Sequence, residues 1–263
     1  MQGIGLNSGQ NESVILTRGL SGAGQRWFLG GREFALREAE LCAQRTTVLL
    51  AGQQVLRTPE HLAAALLCWP CSDMNIQISG EEVPILDGSA RPFYEELEKG
   101  LGAPSGDLHF YACPLVDRYD FGYGYFSVEA SMDDSLHLDV SLDRHGYADR
   151  LSLEIRTCED LLPVLSARTF IFEPDFKEAQ ARGLLLGAQK HCGLLLRQNL
   201  SHTEVLAGAP FRHPQEPALH KMLDLVGDLA TMGPHLPRLK IRIHNGGHAA
   251  HHHIIKRIRS LCP

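Results

Sequence analysis

The stretch His220-Lys-Met-Leu-Asp224 places an imidazole and a carboxylate four residues apart, inside an apolar run (residues 219–232) that reads as a helix. Four residues is about one turn, so both side chains share a face, roughly 6 Å apart at their β-carbons. Such a pair is half of a metal site. A third ligand would complete a zinc site of the catalytic kind, which keeps one position open for water. The bland alternative is an ion pair on a helix surface. Asp228 repeats the spacing from Asp224, and Lys221 sits beside the pair, either facing a ligand or as a solvated helix lysine.

Three further clusters carry chemically useful groups. Glu60-His61 falls in the first turn of a predicted helix, as a base beside a ligand or as a partly buried polar pair. His244-Asn-Gly-Gly-His248-Ala-Ala-His251-His252-His253 sets a glycine pair before a helix, which leaves N–H groups free for an anion; spacing alone does not single out one of its five histidines. Cys68-Trp-Pro-Cys71 has C-x-x-C spacing, but a redox pair opens a helix and this one follows a predicted helix, so it reads as buried or loop cysteines. Seven cysteines scattered over 263 residues make no disulfide framework.

The elements that must position these groups fall into two halves. In the first, residues 13–17, 27–29 and 46–50 are strand candidates between glycine turns. Thr58-Pro-Glu predicts a helix start with Thr58 as cap, Pro59 first and Glu60 at the positive dipole end. Residues 74–79 alternate as a strand, Gly80-Glu-Glu turns, and residues 92–99 read as a helix. Residues 98–106 are rich in Gly, Pro and Ser and form the best boundary. In the second half, residues 121–131, 136–142 and 151–155 alternate as an antiparallel meander with one wet face. A helix is predicted from Thr157 to about Ser166, a strand at 169–172, a helix at 174–180 and a strand at 193–196. The helix of the opening motif follows, then a strand at 239–243 and a helix at 248–261. The simplest architecture is α+β in two halves, each with a sheet and about two main helices.

Composition narrows the rest. A hydrophobic fraction of 44% is ample for a core, and 21% charged residues with a net charge of -6 give no support for nucleic-acid or membrane-surface binding. No apolar run is long enough to span a bilayer, and the N-terminus lacks the pattern of a secretory signal. The expected location is cytoplasmic.

Five motifs in one order now carry a resemblance across nearly the whole chain. They are Thr58-Pro-Glu-His-Leu-Ala-Ala-Ala-Leu66; Glu82-Val-Pro-Ile-Leu-Asp-Gly-Ser-Ala90 with Pro92-Phe93; Ala167-Arg-Thr-Phe170 followed by Arg182-Gly-Leu; His220 to Leu229; and Gly246-Gly-His-Ala249. Together they resemble the UDP-3-O-acyl-N-acetylglucosamine deacetylases of lipid A synthesis. The resemblance implies two similar β-α-α-β sandwich domains packed through their helices, residues 1–103 and 107–263, with the site in the cleft between them. It also implies a βαβ insert at about 169–197 that forms an apolar passage for the acyl chain, to which the runs at 184–186 and 194–196 are suited. It implies zinc held by His61, His220 and Asp224, and it picks His248 from the histidine cluster as catalytic.

The chemistry implied is deacetylation. Zinc lowers the pKa of water towards ~7, and Glu60 is adjacent to a ligand, where it can take a proton from that water. Zinc and the Thr169 hydroxyl would stabilise the oxyanion. His248, kept cationic by Asp228, would donate a proton to the departing amine. Lys221, Phe170, Gly187 and Asn7 are the expected substrate contacts, the substrate is an acylated UDP-sugar, and the protein is a monomer by default.

Departures from the family pattern fall on the nucleotide side. Gly3-Ile-Gly-Leu-Asn-Ser-Gly9 carries Asn7 where the family has His, and the chain begins at that motif, so the family's first strand is expected to be missing. The insert reads Gly187-Ala-Gln189 for Gly-Gly-Ser. Leu142-Asp-Arg-His145 replaces an aromatic-Asn-His-Pro segment, and Asn245 stands near a usual basic position. Two other readings follow: a divergent zinc deacetylase of another N-acetylated sugar, and a non-catalytic metal-binding paralogue. Retention of Glu60, Thr169 and His248 argues against the second, because a binder needs no base.

Overall fold

Alternating apolar residues, glycine turns and two strongly apolar helices account for the architecture. The computed structural model describes residues 1–43, 46–200 and 202–262. Its first sheet orders β1 (Gln2–Ile4), β2 (Asn11–Arg18), β8 (Met74–Ile78), β3 (Gln25–Leu29) and β4 (Arg32–Phe34), with β2 antiparallel and β3 parallel to β8. Val14, Trp27, Leu29, Ile76 and Ile78 turn inward at the period-two spacing of a half-buried sheet. A separate antiparallel sheet of β5 (Glu40–Ala43), β6 (Thr47–Ala51) and β7 (Gln54–Arg57) leads into helix α1 (Glu60–Leu66). Helix α2 (Arg91–Leu101) follows β8 and extends four residues into the predicted boundary before stopping at Gly102.

The second sheet orders β10 (Asp117–Phe121), β11 (Gly124–Ala130), β17 (Leu236–His244), β12 (Leu136–Arg144) and β13 (Tyr147–Ile155), and β9 (Phe110–Ala112) also pairs with β17. Two features correct the expected meander. Residues 121–131 are not one strand but parts of a hairpin turning at Gly122 and Tyr123. The late strand β17 enters between β11 and β12, antiparallel to the first and parallel to the second. Its buried Leu236, Leu239, Ile241 and Ile243 suit a centre where both edges are paired, while polar Asp117–Phe121 takes an edge. Alternation identifies a strand but not its neighbours. The wet face is as expected: Arg150 and Arg242 both bind Asp139 there.

Helix α3 (Cys158–Leu165) starts on a capping box in which Thr157 and Asp160 bond reciprocally. Thr58 does not cap α1. It has φ 51, donates its hydroxyl to the Val83 carbonyl at 3.0 Å, and leaves Pro59 as a cap without a side-chain bond. Beyond α3, strand β14 (Phe170–Phe172), helix α4 (Glu173–Ala181) and strand β15 (Leu194–Gln198) form a parallel βαβ unit. The unit gains a further antiparallel strand, β16 (Thr203–Ala207), past the expected end at 197. Helix α5 (Glu216–Ala230) runs through the interior with all but one of its residues buried, and α6 (His248–Leu261) closes the chain. One continuous hydrophobic cluster joins both large sheets, α1, α2, α3, α5 and α6. No helix among the described residues is long and apolar enough to cross a membrane.

Candidate metal and acid-base centre

Helices α1 and α5 cross closely because of a glycine. A β-carbon on Gly227 would lie 2.2 Å from the Glu60 carbonyl oxygen, so no other residue permits this approach. The crossing brings the start of α1 against the middle of α5. His61, His220 and Asp224, the three expected ligands, converge there, each at most 6% exposed and each offering a donor atom within 4.8 Å of the other two. His220 Nε2 lies 3.3 Å and His61 Nε2 3.8 Å from Asp224 Oδ1. Ligands around a tetrahedral ion with bonds of about 2.1 Å stand roughly 3.4 Å apart.

The donor chemistry tests the fit. His220 Nδ1 is 3.1 Å from the Ala167 carbonyl, which can only accept, so Nδ1 carries a proton. Burial pushes the His220 imidazole down, against the opposing pull of Asp224, so the ring is neutral and Nε2 presents a lone pair. That lone pair faces a carboxylate oxygen. Burial works against the charge on Asp224, but the neighbouring Lys221 ammonium outweighs it and holds the carboxyl well below the usual range, so the oxygen is anionic. Two lone pairs at 3.3 Å call for a cation between them, and these residues fit one. The Ala167 carbonyl on the other His220 nitrogen is the kind of partner that orients a metal-binding histidine. Lys221 sits over the Phe170 ring at 5.5 Å and donates to Asp224 Oδ2 at 2.8 Å. Its expected role towards substrate therefore competes with this bond.

Glu60 lies beside the centre, 3% exposed. Its Oε1 accepts from the Thr46 hydroxyl at 3.3 Å, and its Oε2 is buried without a partner. Burial raises this carboxyl to about 7, against the pull of His248 and His61. Across from it, His248 Nε2 is 4.0 Å from Glu60 Oε1, and His248 Nδ1 is 2.8 Å from Asp228 Oδ2. Burial would lower His248, but the Asp228 and Asp224 carboxylates outweigh it and raise the imidazole to about 9. Burial likewise opposes the charge on Asp228, and the imidazoles of His248 and His251 hold its carboxyl well below the usual range. A base near neutrality thus faces an acid that is charged at neutrality, the poise that proton transfer requires.

Sequence reasoning missed Thr47 here and left His251 and His252 unselected within the histidine cluster. Thr47 meets Asp228, His248 and His252 through its hydroxyl, and His251 Nδ1 is 2.8 Å from Asp228 Oδ2. Asp228, His248 and His252 also group their donor atoms within 4.8 Å, but the Thr47 hydroxyl already bonds all three and cationic His248 has no lone pair for a metal. The remaining members of the histidine cluster lie elsewhere: His244 bonds Ser141 at 2.9 Å, and His253 stacks on Tyr119. A helical period from His248 points to His251 and His252, but nothing local points to Thr47. Cys68 is buried and Cys71 exposed, so the C-x-x-C pair does not share an environment.

A family model described as UDP-3-O-acyl N-acetylglycosamine deacetylase matches residues 1–260. The chain belongs to this deacetylase family. Among curated UDP-3-O-acyl-N-acetylglucosamine deacetylases, it is 32% identical to that of Thermosynechococcus vestitus over 88% of this chain and 81% of the relative. It is 30% identical to that of Trichormus variabilis, covering 98% and 95%, and 26% identical to that of Aquifex aeolicus, covering 98% and 89%.

Strands β14 and β15 with helix α4 form one unit next to the Ala167–Phe170 stretch. It borders a half-open cavity of about 370 Å³ lined by Thr169, Phe170, Phe176, Leu185, Leu194, Leu195 and Ala207, with Leu6 from the N-terminal segment. Leu184 and Leu186 are exposed instead, and Leu196 belongs to a small core with Phe172. Gly187 donates to the Leu6 carbonyl at 3.0 Å, and a β-carbon there would meet the Gly5 carbonyl oxygen at 2.1 Å, so its place is against backbone. Asn7, in the family's histidine position, gives both its backbone N–H and its side-chain amide to buried Glu82, each at 2.9 Å. Arg144 and His145 both pair with Asp175. Asn245 accepts from the Asp143 N–H at 2.7 Å and donates to the Tyr123 carbonyl at 3.1 Å.

The Ala167–Phe170 stretch is anchored by a buried ion pair. Arg168 donates to Glu216 Oε1 from Nε at 2.8 Å and to Oε2 from a terminal nitrogen at 2.9 Å, and also reaches the Ala209 and Pro210 carbonyls. Glu216 is fully buried. Glu216→Ala leaves the guanidinium buried and unpaired, so urea unfolding of this variant should register a loss of about 3–5 kcal/mol. A loss below about 1 kcal/mol would mean that the anchor is dispensable.

Proposed function

We propose that this protein hydrolyses the N-acetyl group of UDP-3-O-acyl-N-acetylglucosamine to acetate and the free amine, with zinc held by His61, His220 and Asp224, as a step of lipid A synthesis in the cytoplasm. The observation that carries the reading is the His220 lone pair facing the Asp224 carboxylate, with an unpartnered Glu60 oxygen beside it. Zinc bound there would polarise the acetyl carbonyl and acidify a water. Glu60 takes a proton from the attacking water as it adds to that carbonyl. The Thr169 hydroxyl assists the developing oxyanion. His248 gives its Nε2 proton to the amide nitrogen as the carbon–nitrogen bond breaks, and Asp228 holds the ring by Nδ1. We read residues 1–103 and 107–263 as the two sandwich domains, since the ligands and the acid-base pair come from helices of both.

The cavity beside Thr169 and Phe170 suits the acyl chain. Burial of each methylene contributes about 0.8 kcal/mol. Ala207→Phe, by displacing about four methylenes, should lower kcat/KM for a long-chain substrate roughly 10²-fold and leave a short-chain one near wild type. An equal effect on both would sink the assignment of this cavity.

A divergent deacetylase of another N-acetylated sugar is the second reading. Asn7, Arg144 and His145 are all committed to protein partners, which leaves fewer groups for a nucleotide. Acetate release separates the two readings. Turnover of the acylated UDP-sugar supports the first, and turnover only of a simpler N-acetyl sugar supports the second. Metal binding without turnover of either would point to a non-catalytic paralogue.

A further inference from the structure

We propose that Thr47 is a positioning residue for the acid half of the reaction, and that with its neighbour Thr46 it sets the general acid in register against the general base. This rests on the functional reading above for what the register serves, but the hydrogen bonding stands on its own. Thr47 is fully buried on β6, in the first half of the chain, whereas its partners lie on α5 and α6 in the second. A hydroxyl has one proton to give and two lone pairs. Asp228 is an ionised carboxylate and can only accept, so the proton of Thr47 goes to Asp228 Oδ1. The hydroxyl must then accept from both histidines, His248 Nδ1 at 3.0 Å and His252 Nε2 at 2.9 Å.

That assignment has a consequence for His252. Its Nε2 must carry the proton, so in the neutral ring Nδ1 is bare. Nδ1 is the His252 atom that is buried without a partner, which is where a ring with its one proton on Nε2 would have none to place. The assignment also fixes His248. Its Nδ1 proton lies between Asp228 Oδ2 at 2.8 Å and the Thr47 hydroxyl, and two acceptors on one edge orient the ring so that Nε2 faces Glu60. His251 secures Asp228 Oδ2, and Thr47 secures Oδ1. The carboxylate is thus held at both oxygens. The adjacent Thr46 hydroxyl donates to Glu60 Oε1. Two consecutive residues of one segment therefore hold the base and the acid, so their separation is set by a single peptide unit.

The test uses the metal-loaded full chain and two variants. Thr47→Val keeps the shape of the side chain and removes the hydroxyl; Thr47→Ser keeps the hydroxyl. Misplacement of a catalytic group by about 1 Å costs on the order of 10²-fold in rate. Thr47→Val should lower kcat by that order while KM and metal content stay within about twofold, and Thr47→Ser should recover most of the loss. A Thr47→Val variant with wild-type kcat, or a serine variant as impaired as the valine one, would overturn the proposal. Independently of turnover, nitrogen NMR of the wild-type imidazoles should give His252 as the Nε2–H tautomer; the Nδ1–H form would overturn the network. If the wild type releases no acetate from the acylated UDP-sugar, the functional reading falls, and the tautomer of His252 alone decides for or against the assignment of Thr47.

Discussion

Glu60→Gln should reduce kcat by about 10²–10⁴-fold, the span of a lost general base, with bound metal unchanged. The substitution preserves size and the acceptor towards Thr46 but cannot take a proton. Glu60 is nearly fully buried, and its Oε2 has no protein partner, so the atom that loses function holds nothing else together. A stability loss is therefore not the expected origin of the defect, and the melting temperature should stay within a few degrees. Metal analysis separates the roles. A variant that loses its metal along with its activity would make Glu60 a ligand or a prop for His61, contrary to the proposal, in which the donor atoms that converge within 4.8 Å on His61, His220 and Asp224 hold the metal.

The second large effect belongs to His248. His248→Ala should cost about 10²–10⁴-fold in kcat as the departing amine loses its proton donor, and it should also change the shape of the pH profile. In the wild type, kcat/KM rises as Glu60 loses its proton. Burial sets that carboxyl at about 7, and a metal ion held by the neighbouring His61 would move it lower. The rate then falls as His248 loses its proton near 9, because a neutral imidazole cannot donate from Nε2. The alanine variant should lack the alkaline limb. Asp228→Asn should move that limb to lower pH, since removing the carboxylate that raises the imidazole most leaves burial opposed chiefly by Asp224. An alkaline limb unmoved in both variants would assign the acid to another group.

Much of the centre was legible because its geometry is local. His220 and Asp224 are one helical turn apart, and Glu60 and His61 are adjacent at a helix start, so type and spacing were enough to mark them. That His61 meets His220 is a tertiary fact that only the ordered motifs implied; its physical cause, the bare Gly227 against the Glu60 carbonyl, has no local signature. Thr47 was invisible for a related reason. A threonine in an apolar strand is ordinary, and its importance comes from helices nearly two hundred residues away. Thr58 looked like a cap because Ser and Thr before Pro-Glu usually cap, but the Val83 carbonyl competes for its hydroxyl. The second sheet was read correctly as strands and wrongly as a meander, because its central strand arrives after the insert and α5. On the substrate side, Asn7 and Gly187 looked like ligand contacts. Their hydrogen bonds go to Glu82 and Leu6, long-range partners that a single sequence does not reveal.

The central claim is a catalytic metal between α1 and α5, and titration of metal-stripped protein with zinc tests it most directly. Acetate release from UDP-3-O-acyl-N-acetylglucosamine should start at background and rise linearly to a break at one zinc per chain. His61→Ala, His220→Ala and Asp224→Ala should each abolish that rise. Full turnover by the metal-stripped protein, or a wild-type break retained in the three ligand variants, would contradict the account.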